Sequence, residues 1–232
     1  MKERGMIFNS EMVRAILDGR KTQTRRIMAP QPADDIERGI FPNPEVIGWK
    51  SSLRHKHGST TAHFCPYGKP GDRIWVREAF RVHSRATDVA TLVYKASVRN
   101  SWTEQTLRVP VAVCNKPATP EKWTPSLHMP RWASRILLEI TDVRVERLNT
   151  ISPEDAESEG LECTNFTGFG DEPGLPSYPE PDVYFDPLKK QWKEYPPEAF
   201  AGLWESIYGE GSWQANPWVW VIEFKRVEGG AA

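Results

Sequence analysis

A chain of 232 residues, 39% apolar and 26% charged, has enough material for a buried core and the composition of an ordinary globular protein. No apolar run nears the roughly 20 residues that span a bilayer, and Met1–Phe8 lacks the apolar stretch of a signal peptide, so a cytoplasmic protein without a membrane partner is expected. The formal charge of −1 excludes a globally basic nucleic-acid binder, and three widely spaced cysteines, Cys65, Cys114 and Cys163, argue against a disulfide framework.

The charge is unevenly placed. Residues 1–26 hold seven Lys/Arg against three Asp/Glu, and residues 153–198 hold twelve Asp/Glu against three Lys. A basic end can meet phosphates; equally, it can be a solvated face. Within it, Ser10–Leu17 predicts a short helix. Ser10 serves as its cap, Met12, Val13, Ile16 and Leu17 repeat at helical spacing, and Gly19 closes it. Directly afterwards Arg20-Lys21-Thr22-Gln23-Thr24-Arg25-Arg26 forms a dense polar segment suited to holding functional side chains. In a regular strand Lys21 and Thr24 point to opposite faces. Both meet one substrate only if Lys21 sits in the turn after Gly19 or a bulge intervenes.

Residues 28–70, rich in Pro, Gly and His, read as a long ordered loop or insertion. His55, His57, His63 and Cys65 are metal-capable, but their spacing fits no standard zinc framework. Surface histidines with one small buried cysteine are the preferred reading, and no metal is assigned. A strand follows at Arg73–Phe80, with Ile74, Val76 and Phe80 on one face. Glu78, on the opposite parity beside Arg73, Trp75 and Arg77, reads as a salt-bridge residue, the alternative being a site residue.

Two further strands are expected at Thr91–Ser97 and Leu107–Val113. Trp123–Arg135 is broken by two prolines and reads as an extended segment or loop. Such a stretch can stack a base on Trp132 while Arg131 or Arg135 meets a phosphate or carboxylate, with His128 close by; a core tryptophan is the competing reading. Arg135–Leu148 predicts a long strand bent near Thr141-Asp142, with Val143 and Val145 inward and Arg144 and Glu146 outward.

Ser152 caps a helix that Pro153 begins and Gly160 ends, with Asp155 three residues after the cap. Glu159 is its last residue. The partial negative charge of a helix end disfavours a carboxylate there, which suits a group that must donate a proton. An exposed glutamate on a surface helix is the alternative. Residues 162–198 read as a covering loop or lid. Pro197–Tyr208 predicts a helix packing Phe200, Leu203, Trp204 and Ile207, and Trp218–Lys225 a closing strand. The tail at 229–232 is expected to be disordered.

Gly19-x-Lys21-x-x-Thr24-x-Arg26 resembles the signature of ASCH domains, β-barrels related to the PUA fold. Gly71-Asp72-x-Ile74-x-Val76, Ala156-Glu157-Ser158-Glu159 and the strand Trp218-Val219-x-x-Ile222-x-Phe224 follow in the family's order. Thr24 and the A-E-x-E element are similar to those of a bacterial branch that hydrolyses N4-acetylcytidine to cytidine and acetate. Residues 123–135 look like those of larger phage-type members. The resemblance implies an α+β protein: a PUA-like (ASCH) mixed β-barrel over residues 1–228, with a few short peripheral helices and insertions at 28–70, 84–122 and 162–198. It implies a metal-independent, cofactor-free amide hydrolase acting on an N-acylated nucleobase or nucleoside. Lys21, Thr24 and Glu159 would carry the chemistry, with Lys21 expected to deprotonate Thr24 or a water held by it, Glu159 to pass the proton to the leaving nitrogen and Arg26 or a backbone N–H to steady the oxyanion; Arg26, His128, Arg131, Trp132 and Arg135 would bind substrate. Two rivals stand beside it, a non-catalytic RNA or modified-base binding module and an ASCH-type ribonuclease on single-stranded RNA. No protein partner is expected.

Overall fold

The computed structural model describes residues 1–32, 49–52, 60–164 and 182–227. Its strands are β1 (Glu3–Ile7), β2 (Gln23–Ile27), β3 (Trp49–Ser52), β4 (Thr60–His63), β5 (Arg73–Arg77), β6 (Phe80–Arg85), β7 (Val89–Tyr94), β8 (Thr106–Pro110), β9 (Leu137–Arg147), β10 (Cys163–Thr164), β11 (Val183–Asp186), β12 (Gln191–Lys193) and β13 (Trp218–Arg226). Its α-helices are α1 (Ser10–Leu17), α2 (Trp102–Gln105), α3 (Pro153–Ser158) and α4 (Pro196–Tyr208). The class is α+β, as expected. His55, His57, the segment 165–181 and the tail at 229–232 lie outside the described residues.

β13 organises the fold because its sequence is apolar on both parities. Trp220, Ile222 and Phe224 pack with Met6, Phe8, Ile74 and Ile140 and with Val13 and Ile16 of α1. Val219 and Val221 pack on the other side with Leu148, Ala156, Phe200 and Trp204, beneath α3 and α4. A strand buried on both faces needs partners on both edges. β9 and β2 supply them in a five-stranded mixed sheet ordered β1-β5-β9-β13-β2. β1 and β5 run parallel, and the remaining pairs antiparallel.

Among the described residues this sheet does not close into the expected barrel; β1 and β2 are its edges. The edges nonetheless approach each other, as sheet twist encourages. Arg26 on β2 donates to the Ile7 carbonyl at 3.0 Å and lies 5.4 Å from the Phe8 ring centre. The expected bend in β9 is a bulge: Glu223 faces Asp142 and Phe224 faces Ile140, which leaves Thr141 over.

The strand predicted over Arg73–Phe80 is two strands. The chain leaves the first sheet at Glu78-Ala79, and Phe80 opens β6 in a separate sheet, β6-β7-β8. Those two residues outside either strand break the alternation, so Phe80 belongs to a different core, with Val82, Leu92, Tyr94 and Met129, rather than with Ile74. β10, β11 and β12 form a third sheet against α4, and β3 pairs with β4. Among the described residues no helix is long and apolar enough to cross a membrane.

Candidate functional site

Two helix ends meet to build the site. α1 is capped by Asn9, not Ser10: the Asn9 Oδ1 accepts from the Met12 N–H at 2.8 Å, and Ser10 is already helical. At its far end Gly19 takes a φ of +77°, and the chain turns back so that the Lys21 N–H donates to the Ala15 carbonyl at 3.0 Å. α3 begins as the sequence predicts. Ser152 accepts from the Asp155 N–H at 3.1 Å, and Pro153 fills the first turn. It stops at Gly160, whose φ is +88°. The Thr22 N–H then donates to the Ser158 carbonyl at 2.9 Å, and Lys21 bridges to Glu159 as a short ladder.

That ladder buries an ion pair. Lys21 Nζ lies 2.7 Å from Glu159 Oε2 and 2.7 Å from the Glu159 carbonyl oxygen, with the lysine side chain fully enclosed and the glutamate 3% exposed. One ammonium thus satisfies both a carboxylate and an orphan carbonyl at the end of α3. Burial pulls the Lys21 pKa below its ordinary 10.5, outweighing the upward pull of Glu159, and Arg26 and Arg25 add to the lowering.

Arg25 completes the arrangement. Its guanidinium donates to Glu159 Oε1 at 3.2 Å, to Asp155 Oδ2 at 2.8 Å and to Glu146 Oε2 at 3.2 Å. Arg144 reaches Asp155 at 2.7 Å and Glu146 at 2.6 Å, and also pairs with Glu223. The expectation that Arg144 and Glu146 face outward is therefore corrected. They point away from Val143, but α3 covers them, and they are half-buried in a charged layer. The alternation of β2 explains which arginine takes part. Arg25 pairs in register with Val221 and shares its α3-facing side, whereas Thr24 pairs with Ile222 and Arg26 with Trp220 on the opposite side.

Glu159 borders two cavities. The larger, about 270 Å³, is walled by Arg14, Arg20, Arg99, Phe185 and Leu203. The smaller, about 10 Å³, lies at the edge of β2 and brings together Thr24, Arg25, Arg26 and Glu159 under Trp204 and Tyr208 of α4. That volume matches a single water molecule. Lys21 lies just outside β2, bridged to Glu159, whose side chain it touches directly, and Thr24 lines the small cavity that Glu159 also lines.

The other sequence-derived candidates stand elsewhere. Arg135 forms a two-pronged pair with Glu78 at 2.9 and 3.1 Å, lies 4.1 Å from the Tyr94 ring centre and donates to Ser97 Oγ. Glu78 is thus a salt-bridge residue, though a buried one, and burial raises its pKa against the pull of Arg135. Trp132 packs edge-on against Phe80 and borders the second sheet's core. Arg131 pairs with Glu3 at 3.0 Å. His128 lines a separate cavity beside Trp123. Among the described residues, none of these four lines either cavity that Glu159 borders. No group of three or more His, Cys, Asp or Glu side chains is placed to hold a metal among the described residues; there His63 is buried and Cys65 is half-buried.

Sequence reasoning passed over Arg25, Asp155 and Glu146, together with Arg14, Arg99 and Phe185 of the larger cavity. Strand parity held the signal for Arg25, because Lys21, Gln23 and Arg25 share one side of an extended segment. The cavity walls come from distant elements and carry no local signal. No protein-family model, curated protein or solved structure matches the chain.

Proposed function

We propose that the chain is an amide hydrolase acting on an N-acylated nucleobase or nucleoside of the N4-acetylcytidine kind, built on a PUA-like (ASCH) curled sheet and working in the cytoplasm. The observation that carries this reading is the enclosed Lys21–Glu159 pair, of which Glu159 borders both cavities.

In this reading a water occupies the small cavity against Thr24 and Glu159. Glu159 removes its proton as the oxygen bonds to the acyl carbon, and returns that proton to the exocyclic nitrogen as the C–N bond breaks. The products are the free amine and a carboxylic acid, so the proton count closes without another reactant. Lys21 cannot touch the substrate through its enclosing walls and is a positioning residue. It holds one carboxyl oxygen while Arg25 holds the other. Arg26, facing the small cavity, is the nearest candidate for the developing oxyanion.

Incubating the purified chain with N4-acetylcytidine tests the proposal. Cytidine and acetate are expected, with Glu159→Gln slowing their release by about 100-fold or more. Wild-type protein that releases no cytidine overturns it. A parallel incubation with labelled single-stranded RNA separates the rivals, since fragments indicate a ribonuclease and retention without product indicates a binding module.

A further inference from the structure

Trp204 buries a polar atom that the helical layer leaves unused. The residue is 2% exposed and packs on α4 with Phe200, Val219 and Val221. Its indole Nε1 is buried and has no hydrogen-bond partner among the described residues. An indole N–H can only donate, and a buried donor left without an acceptor is costly. Aromatic packing does not relieve it. The Tyr208 ring centre lies 4.2 Å away with the ring 31° from parallel, so an N–H in the indole plane does not point at the tyrosine face.

Trp204 lines the small cavity together with Thr24 and Glu159. That cavity has the size of one water and the polar neighbours that a buried water needs. Each carboxyl oxygen of Glu159 keeps a lone pair to spare, because Lys21 donates to one and Arg25 to the other. Thr24, 1% exposed, adds a hydroxyl. Trp204 adds the donor. Arg25 Nε is also without a partner, but its guanidinium lies 5.9 Å from the Phe200 ring centre, and an aromatic face can receive an N–H.

We infer that the Trp204 indole N–H binds the water of the small cavity and so orients it for attack, the orienting role resting on the amide-hydrolase reading. A water has two hydrogens and two lone pairs. Glu159 and Thr24 accept the hydrogens, Trp204 fills one lone pair, and the other is left for the acyl carbon. The indole neither gives nor takes a proton. The proton still travels from the water to Glu159 and on to the exocyclic nitrogen as the C–N bond breaks. Trp204 keeps the water from turning, on a ring packed between Phe200 and Tyr208.

Proton NMR and kinetics test the two parts separately. In the wild type the Trp204 indole hydrogen, assigned by its disappearance from Trp204→Phe, is expected to show a cross-relaxation peak to a long-lived water. Absence of that peak overturns the inference, whether or not the chain hydrolyses anything. Trp204→Phe is expected to lower kcat for cytidine release from N4-acetylcytidine about 3- to 10-fold, as the loss of one hydrogen bond implies, with KM unchanged. Trp213→Phe makes the same truncation in the same apolar cluster but outside the lining of the cavity, and should leave kcat as it is. Urea midpoints check that both variants fold. A kcat in Trp204→Phe equal to the wild type's overturns the orienting role. So does an equal fall in Trp213→Phe, which would assign the loss to packing. Wild-type protein that releases no cytidine overturns the hydrolase reading and the orienting role with it, while the binding of water by Trp204 stands or falls on the NMR peak alone.

Discussion

Lys21 concentrates the cost of the site in one side chain. An ammonium removed from water is tolerated only where partners replace its hydration, and here a carboxylate and a helix-end carbonyl do so. Replacing Lys21 with Met keeps the shape and removes the charge, leaving Glu159 held by Arg25 alone. Urea unfolding at pH 7 should show a loss of about 3 kcal/mol. The pH dependence is the sharper check. Because the folded pKa of Lys21 is below 10.5, the unfolded chain binds a proton that the folded chain has lost throughout the interval between the two values. Through this group, stability rises with pH across that interval. The stability difference, wild type minus Lys21→Met, should therefore grow as pH climbs toward 10.5, and a difference that stays flat would mean that residue 21 does not titrate there.

At the scale of elements, the glycines show which turns are structural necessities. Gly160 and Gly19 both take left-handed backbone, but their surroundings differ. A Cβ at Gly160 would come within 2.8 Å of the Cβ atoms of both Ala15 and Lys21, whereas one at Gly19 would meet open space. Gly19→Ala should cost about 1–2 kcal/mol, the backbone penalty alone. Gly160→Ala should cost about 3 kcal/mol or more, since crowding adds to that penalty, and it should also displace Glu159 and, on the proposed function, slow cytidine release. Equal denaturant midpoints for the two variants would contradict this packing of α3 on α1. These ends were legible in the sequence because capping is local chemistry: Ser152, Pro153, Gly160 and Gly19 each act on their own backbone. The cap at Asn9 was displaced by one residue, since Asn and Ser both serve and only geometry chooses between them. The charged layer was not legible. Arg25, Glu146 and Asp155 lie far apart along the chain, and their meeting depends on the register of β2 and β9 against β13. The split of Arg73–Phe80 into two strands was hidden for a related reason, because both halves are apolar on alternate residues and only the change of sheet at Glu78-Ala79 separates them.

For the whole molecule, the question is what keeps the layer of α3 and α4 in register with the five-stranded sheet beneath it. Apolar contacts such as Val221 against Phe200 supply adhesion, but they tolerate sliding. Directional bonds do not. Asp155 receives Arg25 from the edge strand at 2.8 Å and Arg144 from the central strand β9 at 2.7 Å, and Gln23 donates to its carbonyl oxygen. One carboxylate on α3 is thereby tied to two strands that lie on either side of β13. Burial by itself would raise its pKa, but hydrogen bonds and charge from Arg25, reinforced by Arg144, hold it below the ordinary 3.8. The sign of the linkage follows. A carboxyl with a depressed folded pKa contributes its full stability above the unfolded value and loses it as pH falls from 3.8 through the folded value. Asp155→Asn keeps the shape of the side chain but not its charge. The wild type should exceed this variant in stability at pH 6, and the gap should shrink steadily below pH 3.8, as followed by urea midpoints at stepped pH. If the gap is unchanged down to the acid transition, the charge on Asp155 contributes nothing, and the register of the helical layer must rest on its apolar face alone.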